Sequence, residues 1–113
     1  KKIIVTSEIL FEVLDVFGKR IRTTKRWWKH IIEEKHRDVE GKVELVQKTI
    51  RLPDEIRQSK KKAYIYLYYR NWEEFWMCAV VRRLNGDGFL MTVYITSKTK
   101  KRGKLIWQKA KNK

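Results

Sequence analysis

The amino-acid sequence predicts an α+β domain, with an N-terminal β-hairpin and two helices packed on one face of an antiparallel sheet of about four strands. Three observations carry this. Apolar residues recur at helical spacing between about residues 25 and 50, and at a period of two beyond residue 63. Asn85-Gly86-Asp87-Gly88 separates two alternating runs and is a strong hairpin signal. Helices that precede a run of antiparallel strands pack together on one face of the sheet. A chain of 113 residues reads as a single domain, 1–113.

Taken in order, residues 13–17 read as a strand, Gly18-Lys19 as a turn and residues 20–22 as the partner strand. Thr23 or Thr24 can cap a helix over about residues 25–35, because a threonine side chain accepts from the first free amides. Trp28, Ile31 and Ile32 share one face of that helix. Asp38 is a cap for a second helix, along which Val39, Val43, Val46 and Ile50 form an apolar stripe. Gly41 weakens its first turn. Leu52-Pro53-Asp54 stops it, since proline lacks the amide donor.

Beyond the basic link Lys60-Lys61-Lys62, strands are expected at 63–70, 75–83, 89–96 and 104–108. Ala63, Ile65, Leu67 and Tyr69 point to one face of the first, and Tyr64, Tyr66, Tyr68 and Arg70 to the other. With the aliphatic faces on the helices, the open face presents Tyr64, Tyr66, Tyr68, Thr92, Tyr94 and Thr96. Tyrosines flanked by lysines form a platform on which bases stack while cations hold phosphates.

Charge points the same way. The net charge is +15. Residues 1–56 hold 13 basic and 10 acidic residues, whereas residues 57–113 hold 15 and 3. Basic charge concentrated in one region is the footprint of a polyanion binder, and RNA is the expected partner. Lys98, Lys100, Lys101, Arg102 and Lys104 form its densest run. No apolar run approaches the roughly 20 residues of a membrane span, so no membrane partner is expected. The lone Cys78 excludes an internal disulfide and a cysteine zinc cluster. With no leader pattern at the start, a cytoplasmic protein is expected. His30 and His36 are six apart and do not share a helix face as i, i+4 metal ligands would. The sequence therefore implies no metal and no cofactor.

Metal-independent acid–base chemistry on RNA remains. The ribose 2′-hydroxyl is a nucleophile already tethered beside the phosphate. A catalyst must take its proton, protonate the leaving oxygen and stabilise the phosphorane charge. Histidine suits proton transfer, lysine and arginine suit the charge, and tyrosine and threonine hydroxyls donate to phosphate oxygens. The competing reading is a non-catalytic basic RNA-binding module.

Short motifs in a fixed order lead to a family. They are Arg22-Thr-Thr-Lys-Arg-Trp-Trp-Lys-His30-Ile, Lys35-His36, Pro53-Asp-Glu-Ile56, Met91-Thr-Val-Tyr-Ile-Thr96 and Lys101-Arg-Gly-Lys-Leu-Ile-Trp107. From about Asp15 to Trp107 the chain resembles the small phage and mobile-element nucleases grouped with barnase, EndoU, colicin and RelE toxins. The resemblance implies helices followed by a four-stranded antiparallel sheet that binds RNA on its open face. It implies metal-free cleavage to a 2′,3′-cyclic phosphate, and catalytic weight on His30, His36, Thr92 and Tyr94, with Thr96 beside them. A toxin restrained by an acidic antitoxin is the setting it suggests. Arg37-Asp38 stands where the family carries Pro-Glu after its second histidine, so the sequence alone favours His30 over His36.

Overall fold

The computed structural model of the chain describes residues 8–97 and 101–110. The hairpin is β1 (Ile9–Leu14) and β2 (Arg20–Thr24), followed by helix α1 (Lys25–His30), a π-helical turn (Ile31–Lys35) and a 3-10 turn (Arg37–Val39). Helix α2 (Val43–Arg51) leads to β3 (Glu55–Gln58), β4 (Ile65–Trp72), β5 (Phe75–Leu84), β6 (Asp87–Ser97) and β7 (Lys104–Gln108). The class is α+β, as expected, but the sheet has seven strands in the order β1-β2-β6-β5-β4-β3-β7. It is also mixed, because Arg20, Ile21 and Arg22 of β2 run parallel to Asp87, Gly88 and Phe89 of β6. Two things enlarge it beyond four strands. The hairpin joins it edge-on, and β3 is a four-residue strand with Ile56 as its one apolar residue, too short to stand out by hydropathy.

Local signals explain the boundaries. Asp15 accepts from the amides of Phe17 and Lys19, both at 2.9 Å, and so builds the hairpin turn itself. The first strand therefore ends at Leu14 rather than running to residue 17. Thr24 caps α1 through its side chain, which accepts from the Trp27 amide at 3.1 Å. Asp38 does not cap the second helix. Gly41, at φ +81°, turns the chain left-handed, which a residue with a Cβ adopts at a cost. Helix α2 then starts afresh at Val43, and Val39 contributes from the 3-10 turn. The hairpin between β5 and β6 forms at Asn85-Gly86, both with positive φ.

The main core lies between the helices and one sheet face. Ile31, Val39, Val46 and Ile50 pack there against Ile56, Tyr68, Met77 and Val93, all fully buried. Each such aliphatic side chain contributes roughly 1.5–3 kcal/mol. Tyr68 corrects the expected register. It faces the helices, as does half-buried Tyr66, whereas Ile65, Leu67 and Tyr69 belong to a second cluster on the opposite face. The run Ile65-Tyr66-Leu67-Tyr68-Tyr69 is apolar in both phases, so hydropathy cannot orient it. A partner for the phenol decides: Tyr68 Oη donates to buried Asp15 at 2.5 Å.

In β6 the expected alternation is broken by a bulge opposite Val80 and Val81. Leu90 and Val93, three residues apart, therefore both reach the main core.

Candidate functional site

The sheet face turned away from the helices is floored by Leu67 and Tyr69 of β4, Trp76 and Cys78 of β5, and Tyr94 of β6. Thr92 and Thr96 stand opposite Val80 and Trp76 on the same face. Tyr94, Thr92 and Thr96 are thus together, as the sequence predicted. Thr92 Oγ1 is buried without a hydrogen-bond partner. The tyrosine platform, however, is differently composed. Tyr66 and Tyr68 lie on the helix side, where Arg83 sits 4.3 Å from the Tyr66 ring. Exposed Tyr64 precedes β4, with the Arg82 guanidinium 5.0 Å from its ring. On this face Tyr94 is the partly exposed ring, and Tyr69 and Trp76 lie buried beside it.

Cations close over one side of this surface. Lys101 Nζ bonds Glu55 Oε2 at 2.6 Å and lies 4.5 Å from the Trp76 ring centroid. The Arg102 amide donates to Tyr69 Oη at 2.9 Å. Arg57 of β3 donates to Glu55 at 2.7 Å and to the Gly103 carbonyl at 3.0 Å. Gly103 is held so tightly, at φ +89°, that a Cβ there would come 2.8 Å from the Gln58 carbonyl oxygen. Of the predicted basic run, Lys101 and Arg102 therefore reach the open face. Lys104 is exposed at the start of β7, opposite Gln58. Lys98 and Lys100 lie outside the described residues.

The histidines come from the free edge of β6. Pairing with β2 ends at Phe89, and the π turn and the 3-10 turn take over beside the later residues. Trp27 anchors them by donating from Nε1 to the Met91 carbonyl at 2.8 Å. The π turn closes with an i→i+5 bond from the His36 amide to the Ile31 carbonyl at 2.7 Å, a widened turn that is frequent at functional sites. His36 leaves it half-buried, with its ring 5.9 Å from that of Tyr94. His30 stacks on Trp27 instead, at 4.6 Å between centroids. Of the two histidines, His36 is thus the one that meets Tyr94.

Burial governs the hydroxyls. It pushes the Tyr94 phenol well above its ordinary value, with Cys78 and Tyr69 adding to the rise. Burial likewise raises Tyr69, and it pushes the Cys78 thiol up to about 12. These groups stay protonated at neutral pH. Tyr94 is therefore an O–H donor and not a base. Cys78 is a packed thiol without thiolate character.

Glu55, Arg57, Tyr69 and Trp76 escaped the sequence reading. Their signal was present: Glu55 and Arg57 flank Ile56 with period two, and their side chains share the face that carries Tyr69. No helix among the described residues is long and apolar enough to cross a membrane. A scan of protein-family models found no match to the chain, and searches of curated proteins and of solved structures found none either.

Proposed function

We propose that the chain is a metal-independent endoribonuclease that cleaves RNA by 2′-hydroxyl attack and leaves a 2′,3′-cyclic phosphate. The observation that supports it is the meeting of His36 with Tyr94, 5.9 Å between rings, at the rim of a face that carries Lys101 and Arg102. In this reading His36 takes the proton from the 2′-hydroxyl, whose oxygen bonds to phosphorus as the P–O5′ bond breaks, and the departing 5′-oxygen takes a proton from solvent water. Tyr94, held protonated, donates to a phosphate oxygen. Lys101 and Arg102 stabilise the charge that develops in the transition state. Lys101 can do so while bound to Glu55, because an ammonium has three donors. Such a nuclease suits the toxin of a toxin–antitoxin pair, and an acidic antitoxin would cover the same basic face.

The test is a labelled single-stranded RNA incubated with purified protein in chelator. Cleavage with a cyclic-phosphate product mass is expected. A substrate with hydrogen in place of the 2′-hydroxyl should stay intact, since its nucleophile is gone. His36→Ala should slow cleavage roughly a hundred-fold or more, the scale of acid–base catalysis, and His30→Ala should slow it less. A gel shift without cutting would leave the non-catalytic RNA-binding module as the reading. Equal rates for wild type and His36→Ala would remove His36 from the chemistry.

A further inference from the structure

We propose that the cleft between the Ser59-Lys60-Lys61 turn and Gly103 is a nucleobase subsite, one that admits an unpaired ribonucleotide and rejects a duplex. This rests on the reading that the polyanion is RNA, and it adds which form of RNA is taken. The cleft measures about 400 Å³, within the roughly 300–1,000 Å³ typical of small-ligand sites. That is room for one nucleotide and not for a helix. Ile65, Leu67, Val80 and Tyr94 make its floor, while Lys60, Lys61 and Arg102 stand at its rim. Among the described residues no carboxylate lines it.

Floor and rim ask for different halves of one ligand. An apolar floor with one aromatic ring takes a flat, weakly hydrated face, and a nucleobase offers one only when it is out of its own stack. The cations take the flanking phosphates. Ser59 fixes the rim, because its Oγ accepts from the amides of Lys61 and Lys62, both at 3.2 Å. An acidic peptide would satisfy the rim and leave the floor without a partner. Tyr94 is both part of the cleft floor and the ring that His36 meets. A seated base therefore brings its own ribose and phosphate toward the proposed proton acceptor.

The experiment measures binding without cleavage, by fluorescence anisotropy at one fixed salt concentration. The probes are a 2′-deoxy-blocked trinucleotide, the same sugar–phosphate trimer without bases, and a short RNA duplex. Wild type should bind the trinucleotide about tenfold more tightly than the baseless trimer, the scale of one base stack, and more tightly than the duplex. Ile65→Gln, which makes the floor polar without adding charge, should erase the preference for bases and leave the affinity of the baseless trimer unchanged.

Equal binding of the two trimers by wild type overturns the subsite, as does a duplex that binds as well as the trinucleotide. Should Ile65→Gln fail to fold, a 4-thiouridine trinucleotide can be crosslinked to wild type instead. Crosslinks at the floor residues support the subsite, and crosslinks confined to α1 or the β1–β2 hairpin overturn it. A hexaglutamate peptide that binds wild type as tightly as the trinucleotide and displaces it would assign the cleft to an acidic protein partner and overturn the subsite. A chain that prefers bases but never cuts RNA keeps the subsite and loses the nuclease. One that cuts but ignores bases does the reverse.

Discussion

Glu55 is a buried carboxylate set among cations, and its neighbours decide its charge. Burial alone would raise its pKa. The hydrogen bonds and charges of Lys101 and Arg57 outweigh this and hold it below the usual carboxylate range. A carboxyl depressed in the folded state adds stability above its unfolded value. That stability is lost as pH falls from about 4.5 through the lower folded value. Glu55→Gln should therefore cost roughly 1–3 kcal/mol at pH 7, the worth of hydrogen bonds to charged groups. Its difference from wild type should shrink at pH 3. Urea midpoints at the two pH values check this, and a gap that persists undiminished at pH 3 would show that Glu55 acts through packing and not charge.

Among the elements, the segment Lys101-Arg102-Gly103 carries the cations to the open face, and Gly103 sets its path. Gly103→Ala would combine a left-handed backbone with a contact of 2.8 Å to the Gln58 carbonyl oxygen. It should lower stability by roughly 1–3 kcal/mol, the cost of such strain, and weaken RNA binding, because the segment must lift to relieve it. Calorimetry and anisotropy together check the pair of effects, and a variant as stable as wild type would mean that the path is soft. This segment also explains what hydropathy could not say. It helps to cover the open face over Tyr69 and Trp76, while the helices cover the other. A strand buried on both sides, such as β4, shows no polar phase, so the alternation that located it could not orient it. Residues 89–96 failed differently, since a bulge is one extra residue and leaves no compositional trace. The helix cap at Thr24 and the turn at Asn85-Gly86 were legible because each depends on one local bond or dihedral.

Across the whole molecule, the charge asymmetry was legible as a number but not as a place. Among the described residues, the cations after residue 56 do not form one patch: Arg83 lies against Tyr66 on the helix side, while Lys101 and Arg102 attend the open face. The partnership of His36 with Tyr94 was hidden too, because it joins residues 58 positions apart in the sequence across a sheet edge. One feature of that edge also governs how the chain reaches its fold. Ile21 lies against Gly88, Thr23 Oγ1 donates to the Leu90 carbonyl at 3.4 Å, and Trp27 donates to that of Met91 at 2.8 Å. These bonds span more than sixty residues, so their loop-closure entropy must be met before they return anything. The meander of β4, β5 and β6 closes through short turns and can form first. Pulse-labelled hydrogen exchange during refolding should show its amides protected ahead of those in β1 and β2, and the opposite order would refute this. The hairpin and the histidine-bearing turns would then dock last, leaving the proposed catalytic edge as the final part of the molecule to assemble.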